Sequence, residues 1–588
     1  MRQNPRVFLL VLGLAFALAA CAVPTVPLTP SAAPPSTAAT SSREDPSPSA
    51  AETASPSPTS SPTPVPSPSP IPTQAPWKGD GTVVAEIEKK LRNQAAVDAA
   101  LLAEMGSGAY TADSPLVVLD PYDCAPLSAL VLFRTDVPMS VSVHVPGRAA
   151  ADDVDADLPQ YVRDHWVPVY GLYPDAANAV TLTTCDVEGR RAEIRLTIRT
   201  QPLPPELSAA TVAIDALPSA SLQPGFTFPF TLNDRKTAFD SKGAIRWYLK
   251  ASYLQSGNYG INGRFLFVQG KYGVSEVVLQ ETDPLGRIHR VLWEPYGLHH
   301  DVVAYGTDSL LCTNNQGSDV GDYMIELDTK TGTIRARLDL DEVFQRNRTP
   351  LSIANSADWL HQNTIVLIPG STDILVSARN QSLIARIAWP SGTVRWILSD
   401  PKGWNATFQK LLLAPTGDGF LYSYGQHDPL ILPDQDGNPD TLDLLVFDNG
   451  LERFGAATDP RNYSRLVQYR IDEVRGTAEQ VWQWGQDSGA SLFSAMCGSV
   501  DVLPNGNLLA DFHPTTSGIL WSKVLEIAPD GSVVWSAEIR LDGGATESSS
   551  YRAVRQSLYA GAAADPAIGT PVVDLIPASV RTKHGVPP

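Results

Sequence analysis

A loosely repeated pair of β-hairpins runs through this chain from about residue 225 onward, and it limits the possible folds more than any other feature. In each copy a short apolar strand leads into a polar turn with a glycine, and the next strand often contains a tryptophan. The marker glycines are spaced by 43, 46, 60, 84 and 55 residues; they are Gly243, Gly286, Gly332, Gly392, Gly476 and Gly531. Five of the six copies follow a second hairpin, so that one copy provides four strands, and the smaller spacings match propeller blades of about 40 to 50 residues. The repeat predicts an all-β chain with a six-bladed β-propeller over residues 207–588, the larger spacings holding insertions. The alternative, two packed β-sandwiches, does not explain the regular pairing of hairpins.

Two smaller units are predicted before the propeller. Apolar residues recur at mostly three- and four-residue spacing from Thr82 to Met105, with charged residues between them, which predicts an amphipathic helix within residues 77–110. From Pro115 to about Pro205, short β-rich runs alternate with turn signals. This second pattern predicts a small N-terminal β-sandwich over residues 111–206.

The N-terminus has the pattern of a lipoprotein signal. Arg2 and Arg6 precede an apolar run that is too short to span a bilayer comfortably, which predicts a signal peptide over residues 1–20. The run ends in Leu18-Ala19-Ala20-Cys21, which resembles a bacterial lipobox. We therefore expect a lipid on Cys21 and an extracytoplasmic protein that is anchored to the bacterial cell membrane by that lipid alone. The alternative is an ordinary secretory signal with an incidental cysteine.

A proline-rich segment follows the lipobox. Residues 22–76 contain 16 of the 50 prolines, mixed with serine, threonine and alanine. Such a segment cannot bury a core, so residues 21–76 are predicted to form a disordered, semi-extended stalk. At about 3.1 Å per residue it could reach on the order of 170 Å, enough to hold a domain clear of the membrane.

Charge and cysteine content exclude some classes of protein. The chain has 44 Lys and Arg against 63 Asp and Glu, a net charge of −19, so a broad cationic surface for nucleic acid is not expected and an anionic substrate would need a local positive pocket. No Cys or His spacing of a structural zinc site occurs. Cys124 and Cys185 both fall in the small domain and are expected to form a disulfide, with two separate thiols as the alternative. Cys312 and Cys497 lie in apolar contexts that are typical of buried, unreactive thiols.

Histidines occupy equivalent inner positions in several predicted blades. A propeller brings the inner strand ends of all its blades to one central channel. Five of the nine histidines and one arginine fall at such ends; they are His299, His300, His361, His427, His513 and Arg379. Their shared register predicts a common site.

The chemistry of this set leaves two interpretations. Paired carboxylates are missing, which argues against a glycosidase and against calcium or magnesium. Three imidazoles could bind zinc or copper. Alternatively, imidazoles with an arginine and an amide could hold a tetrahedral oxyanion and pass it on through one histidine that acts as a nucleophile. Arginine favours an anion over a cation, so we prefer the second interpretation and expect no metal and no cofactor.

The sequence around these residues resembles the bacterial aryl-sulfate sulfotransferases, the arylsulfotransferase (ASST) family. The likeness extends over roughly residues 116–559 and includes a segment of the small domain, residues 165–174. The matching motifs are His299-His300-Asp301, Asp358-Trp359-Leu360-His361-Gln362-Asn363, Ser377-Ala378-Arg379-Asn380-Gln381, Gly425-Gln426-His427, Phe447-Asp448-Asn449-Gly450 and Tyr551-Arg552-Ala553-Val554-Arg555.

The resemblance implies an activity and a role for each residue. In that family a histidine takes the sulfuryl group from an aryl sulfate donor, and a phenolic acceptor then removes it by a ping-pong mechanism that needs no phosphoadenosine carrier. The match gives the role of nucleophile to His427. His361 and Asn363, expected on one face of a strand because they are two residues apart, would hold the sulfate oxygens together with Arg379. His300 would accept the proton of the phenol; it is chosen over His299 because it directly precedes Asp301.

Several points stay open at this stage. The family's short disulfide near the active site has no counterpart, because no cysteine lies between Cys312 and Cys497. A non-catalytic cell-surface propeller that binds an aromatic or anionic ligand is the rival function, and a propeller-type dehydrogenase would need calcium-binding acids in the channel. The sequence does not identify the natural donor and acceptor, and it leaves open whether the chain forms a homodimer.

Overall fold

The computed structural model of the chain describes residues 83–208, 210–216, 221–229, 236–250, 254–259, 264–269, 277–316, 319–348, 351, 357–516, 519–541, 547–548, 551–561 and 565–586. The predicted signal peptide, the lipid on Cys21 and the stalk over residues 21–76 lie outside the described residues. Among the described helices, none has both the length and the apolar composition that are needed to cross a bilayer.

One long helix, Val83–Gly106, precedes the β-domains, within the predicted helical segment. Most of its apolar side chains are buried, although Leu102 is exposed, and the helix ends at Gly106, two residues before Gly108 with its left-handed φ of 70°. Gln94 exchanges two hydrogen bonds with the backbone of Ile288 in the propeller, of 2.8 and 2.7 Å. Oδ2 of Asp98 accepts a hydrogen bond from Nη2 of Arg287 at 2.6 Å, and Oδ1 of Asp98 accepts one from Oη of Tyr122 at 2.7 Å. The helix therefore joins the small domain to one blade.

The small domain contains one five-stranded antiparallel sheet. Its strands are Leu116–Leu119, Ala129–Val145, Val154–Val169, Ala177–Asp186 and Arg191–Arg199. The long second strand pairs with the first strand near Ala129 and with the fourth near Met139, and its register to the third strand shifts between these two points. Burial alternates along the fourth and fifth strands, so that one face of this part of the sheet packs into the core. A 3-10 turn, Ala150–Asp152, and a short helix, Pro205–Ser208, complete the domain.

The predicted disulfide between Cys124 and Cys185 is wrong, because both residues are free cysteines. Cys124 lies in the loop after the first strand, where its Sγ is 3.7 Å from the carbonyl oxygen of Gly286 in the propeller. Cys185 lies in the fourth strand, opposite Ser140 of the second strand. Ser140 is eleven residues further along that strand than Ala129, where the first strand pairs. Eleven residues of strand correspond to roughly 36 Å of chain, whereas a disulfide needs Cα atoms about 4.4 to 6.8 Å apart.

The remaining strands form six sheets, each built on four antiparallel strands, which are the blades of the propeller. Blade one contains Phe226–Phe228, Lys236–Phe239, Ile245–Leu249 and Val554–Gln556. Blade two contains Leu254–Tyr259, Phe265–Gln269, Val277–Thr282 and Ile288–Glu294. Blade three contains Leu298–Tyr305, Ser309–Gln316, Asp319–Asp328 and Ile334–Asp339.

The other three blades follow in chain order. Blade four contains Gln362–Leu367, Asp373–Ala378, Leu383–Ala388 and Thr393–Leu398. Blade five contains His427–Ile431, Thr441–Asp448, Arg465–Asp472 and Thr477–Trp484. Blade six contains Ser499–Val502, Leu508–Phe512, Ile519–Ile527 and Val533–Leu541. The prediction of an all-β chain with a six-bladed propeller, preceded by a helix and a small N-terminal β-sandwich, is therefore confirmed, with the strands of the small domain joined in one continuous sheet.

Short elements decorate the blades. Ala414–Thr416 and Val573–Leu575 add parallel edge strands to blades five and two, and Thr515–Thr516 and Glu547–Ser548 pair with the third strand of blade six. The short helices are Leu340–Val343, Ala406–Gln409 and Ala578–Lys583, with a 3-10 segment at Gln486–Leu492.

Two pairings between distant parts of the chain close the propeller. Val554–Gln556, from the end of the repeats, pairs antiparallel with Phe226–Phe228 in blade one. Ala210–Ala216, from before the repeats, pairs antiparallel with Val533–Leu541 of blade six. The first and last blades are therefore each completed by a strand from the opposite end of the repeat region.

The repeated sequence of the hairpins has a simple structural reason. All six marker glycines have positive φ, between 66° and 89°, a region in which a residue with a Cβ is strained. In several copies an aspartate stands at the start of the turn, as Asp240 does in blade one, where its Oδ1 accepts backbone N–H groups of Lys242 and Ala244 at 3.0 and 2.9 Å. The glycine and the aspartate thus turn the chain tightly in each blade, and the apolar strands on either side enter the core.

Candidate active site

The predicted site residues come from the inner strands of neighbouring blades. His300 lies in the first strand of blade three, and His361 stands directly before the first strand of blade four. Arg379 directly follows the second strand of blade four, and His427 begins the first strand of blade five. Tyr551 and Arg552 stand just before the strand Val554–Gln556 of blade one, so the ends of the repeat region meet the same site.

His427 is buried, and hydrogen bonds at its Nδ1 fix the orientation of its ring. Its Nδ1 is 2.8 Å from Oδ1 of Asn449 and 3.1 Å from the carbonyl oxygen of Gly425, so Nδ1 carries the hydrogen and donates it to these acceptors. Burial, and after it the positive charge of Arg379, lower the pKa of His427 well below its ordinary value of 6.5. The imidazole is therefore neutral at pH 7, with its lone pair on Nε2.

The orientation of Asn449 is fixed as well. Its Nδ2 donates to the carbonyl oxygens of Ser494 and Cys497, each at 2.8 Å. Because both acceptors are carbonyl oxygens, the amide cannot be reversed, and Oδ1 must face His427. Asn449 therefore selects the tautomer of the histidine.

A buried ionic cluster supports this segment. Oδ1 of Asp448 accepts the backbone N–H groups of Tyr424 and Gly450 at 2.9 and 3.0 Å, one just before Gly425 and the other just after Asn449. Its Oδ2 accepts from Arg465 Nε at 2.8 Å and from Arg453. Asp448 thus holds together the two chain segments that carry His427 and Asn449.

Arg379 retains a positive charge with no carboxylate beside it. Its side chain is buried, and it donates to Oδ1 of Asn380 at 2.9 Å and to the carbonyl oxygen of Ala495 at 3.0 Å. Within the part of the chain that the structure describes, no acidic group lies within ion-pair distance of Arg379, and its Nε has no hydrogen-bond partner. A buried guanidinium that is surrounded by neutral oxygens is suited to bind an anion. Arg552, by contrast, is balanced by Asp301 and Asp428, each at 3.3 Å.

His300 and His361 meet across the boundary between blades three and four. Their Nε2 atoms are 2.9 Å apart, and Nδ1 of His361 is 2.8 Å from Oδ1 of Asp358. The ring of His300 stacks on Tyr551, with centroids 4.7 Å apart and planes 3° from parallel. Burial, followed by the neighbouring imidazoles His299 and His361, lowers the pKa of His300 well below 6.5. His300 is therefore a neutral group within reach of the same site.

His299 is oriented differently. It is fully buried, and its Nδ1 donates to the carbonyl oxygen of Gln362 at 3.1 Å. Burial is the main cause that lowers the pKa of His299 to about 3, and electrostatic repulsion from His361 is the second. Of the two neighbours, His300 is the one that stacks on Tyr551 and faces Nε2 of His361.

The geometric premise for Asn363 is wrong. His361 precedes the strand with a left-handed φ of 56°, and the register of that strand shifts between Gln362 and Thr364, so His361 and Asn363 are not alternate residues of one regular strand. The fully buried Asn363 donates through Nδ2 to the carbonyl oxygen of Gln426 at 2.7 Å. It supports the segment before His427, and its contact with substrate stays a prediction.

Two residues that contact the predicted site, Tyr551 and Asn449, had been given no role from the sequence. One residue that was predicted to share the site, His513, lies apart from it. Tyr551 lies between the rings of His300 and His427, at centroid distances of 4.7 and 6.0 Å. Tyr551 and Asn449 both belong to motifs that the sequence offered without assigning a role. His513 is buried beside Asp511, with Nε2 3.3 Å from the carboxylate, and its ring contacts none of the four predicted catalytic side chains among the described contacts.

Comparison with known proteins gives the family of the chain. A family model described as arylsulfotransferase (ASST) matches residues 212–552, and one described as the arylsulfotransferase Ig-like domain matches residues 116–201. The arylsulfate sulfotransferases AssT of Lelliottia amnigena and Escherichia coli O6:H1 are each 24% identical over alignments of 519 and 517 positions, and these alignments cover 67% of this chain and 84% of theirs. A putative 6-phosphogluconolactonase structure from Bacteroides uniformis aligns with 57% of this chain and 83% of its own at 13% identity and a TM-score of 0.29, too low to support an inference.

Proposed function

The chain belongs to the arylsulfotransferase family, and on this premise we propose that it moves a sulfuryl group from an aryl sulfate to a phenol through His427, by a ping-pong mechanism that needs no phosphoadenosine carrier. As an arylsulfate sulfotransferase it acts on an aryl sulfate donor and a phenolic acceptor.

The arrangement of His427 is the observation that carries the mechanism. Asn449 holds the hydrogen on Nδ1, so Nε2 is the nitrogen with a lone pair. The buried charge of Arg379 acts on the same imidazole. A neutral nucleophile beside a buried guanidinium that forms no ion pair within the described residues fits the attack on a sulfate ester, in which negative charge on the sulfuryl oxygens must be stabilised.

In the first step, Nε2 of His427 forms a bond to sulfur as the bond from sulfur to the aryl oxygen breaks. The aryl oxygen leaves with the electron pair as a phenolate, a good leaving group. The transition state is loose, as in phosphoryl transfer, so the protein contributes position and positive charge. Arg379 binds the sulfuryl oxygens. His361, whose Nδ1 hydrogen is held by Asp358, joins it when Nε2 also carries a hydrogen.

In the second step, the oxygen of an acceptor phenol forms a bond to the same sulfur. The bond from sulfur to Nε2 breaks and returns its electron pair to His427. The proton of the phenol passes to the neutral His300. The acceptor then leaves as a new aryl sulfate.

A labelling experiment tests the covalent step. Incubation with an aryl sulfate and no acceptor should add about 80 Da, the mass of SO₃, to a peptide that contains His427, and a phenol should remove it. His427→Asn should abolish both labelling and transfer while the circular dichroism spectrum stays unchanged. Transfer at the wild-type rate by His427→Asn would rule out this mechanism, although the family assignment would stand.

We also propose that the mature chain is an extracytoplasmic lipoprotein. The lipobox before Cys21 supports the anchor, and the proline-rich stalk supports a catalytic domain that is held away from the membrane. The lipid is the only membrane contact that this proposal requires.

A further inference from the structure

Three imidazoles lie together at the boundary of blades three and four. The ring centroids of His299 and His300 are 3.9 Å apart, and those of His361 are 4.7 and 4.9 Å from them. Neighbouring residues on a regular strand point to opposite faces, but the register of this strand shifts between Leu298 and Val302. The irregularity allows both neighbours to contact His361.

Two of the three imidazoles, His299 and His361, are oriented as metal-binding histidines are. One possible ligand atom from each residue lies within 4.8 Å of those from the other two. His361 donates through Nδ1 to Asp358, and His299 donates through Nδ1 to the carbonyl oxygen of Gln362. Hydrogen bonds of this kind to carboxylates and carbonyls orient most metal-binding histidines and direct their other nitrogen to the metal.

From this arrangement we propose that His299, His300 and His361 form an inhibitory site for Zn²⁺, and that the ion and the aryl sulfate exclude one another. Three histidines with a fourth open position are a common zinc set, with Zn–N distances of about 2.0 to 2.1 Å. Tetrahedral geometry at these distances needs ligand nitrogens roughly 3.3 Å apart, whereas Nε2 of His300 and Nε2 of His361 are 2.9 Å apart. These two nitrogens would have to separate by about 0.4 Å, and the ligand atom of His299, which lies within 4.8 Å of them, would have to move to a similar distance.

The local charges are compatible with a cation at this point. Arg552 directly follows Tyr551 in the chain, and its positive charge is balanced by ion pairs with Asp301 and Asp428. Asp358 adds a carboxylate directly behind His361. The exclusion of substrate rests on the proposed function, because His300 and His361 cannot bind Zn²⁺ and also act on the sulfuryl group and the phenol.

Zinc inhibition of the mature protein tests this proposal. Added Zn²⁺ should raise the apparent KM for a chromogenic aryl sulfate without changing kcat, and a chelator should reverse the effect. His299→Gln removes one ligand but no group that takes part in transfer. It should transfer within about threefold of the wild-type rate without zinc, and at least tenfold more Zn²⁺ should be needed for half inhibition.

Binding is also measured without turnover, which separates this proposal from the proposed function. Co²⁺ added to the wild type should give the visible absorption of a tetrahedral site, and aryl sulfate should abolish that absorption. His144→Ala is the matched control, because His144, Asp153 and Asp155 form the other group of potential ligands found among the described residues, and its zinc affinity should equal that of the wild type. If His299→Gln does not fold, the absorption of Co²⁺ added to the wild type tests the proposal by itself. Activation by Zn²⁺, inhibition that substrate does not relieve, or a Co²⁺ spectrum lost in His144→Ala would each overturn the proposal.

Discussion

Oδ1 of Asn449 lies 2.8 Å from Nδ1 of His427, and together with the carbonyl oxygen of Gly425 at 3.1 Å it determines which nitrogen of the histidine can attack a substrate. The two carbonyl groups that hold Nδ2 of Asn449 keep the amide from turning. The reactivity of His427 therefore depends on a residue from the next strand of the same blade.

Asn449→Ala should lower kcat by about ten- to a hundredfold, the range seen when partners that orient an imidazole are removed. The loss arises because the hydrogen on Nδ1 of His427 then has only the longer contact with the carbonyl oxygen of Gly425, which weakens the preference for the reactive tautomer. Asn507→Ala, which removes a buried asparagine from a hairpin turn of blade six, is the control for stability. Equal losses of activity and of melting temperature in the two variants would show that the role of Asn449 is only structural.

Arg379→Ala should lower the rate of sulfuryl transfer by a factor of about 10² to 10³, the usual effect of removing one group that stabilises an oxyanion. The nucleophile remains, so slow labelling of His427 by aryl sulfate should still be detectable. Arg379→Lys should recover part of the rate, because lysine restores the charge but not the planar group. A wild-type rate in Arg379→Ala would place the sulfuryl group elsewhere.

The pH dependence follows from the lowered pKa of His427. Protonation of Nε2 removes the lone pair, and because the pKa lies well below 6.5, kcat/KM should not fall between pH 7 and 6 through this group. In Arg379→Ala one of the causes of the shift is gone, so the acidic limb of the profile should move to higher pH. An acidic limb that is centred near 6.5 in the wild type would contradict the buried, neutral state of the nucleophile.

Asp448→Asn should destabilise the protein and impair activity together. The change leaves the buried charges of Arg453 and Arg465 without their carboxylate, and breaking such a buried pair typically costs about 3 to 5 kcal/mol in the free energy of unfolding. Asp164→Asn breaks an ion pair with Arg134 in which both side chains are nearly half exposed, and it should change the melting temperature little. Similar melting temperatures for the two variants would show that the buried cluster is not a support of the site.

Cys21→Ala should release the protein from the membrane fraction or block its processing. The expected cause is the loss of the thiol that carries the lipid. Fractionation of cells and mass spectrometry of the N-terminal peptide measure the outcome. A wild-type protein that is fully soluble, with a free N-terminus at another residue, would contradict the lipobox interpretation.

The fold was predictable because the determining signals are local and repeated. Each marker glycine needs a left-handed φ for its own turn, and aspartates such as Asp240 bind backbone groups of their own hairpin. Such contacts join residues a few positions apart, so a pattern in the sequence contains them. The family resemblance depended in the same way on short motifs with fixed neighbours.

The candidate site was predictable in its members and less so in its geometry. His300, His361, Arg379 and His427 could be named from their inner positions, but the register shift before Asn363 depends on how the first strand of blade four pairs with the second. Spacing alone placed His361 and Asn363 on one face. The Cys124–Cys185 pair failed for a similar reason, because the separation of the two residues is set by the pairing of the long strand and not by their shared domain.

By itself, the sequence determined the number of blades, the family and the residue types of the site, since these follow from local turns and from motifs within one strand. Only the tertiary structure decided that Tyr551 stacks on His300, that Asn449 selects the tautomer of His427, and that Arg379 has no acidic partner among the described residues. These relations join different blades, or different strands of a blade, and they depend on side-chain directions and burial. The strand Val554–Gln556, which completes blade one, is an example. It brings the end of the repeat region to a channel lined by residues that lie more than a hundred positions earlier in the chain.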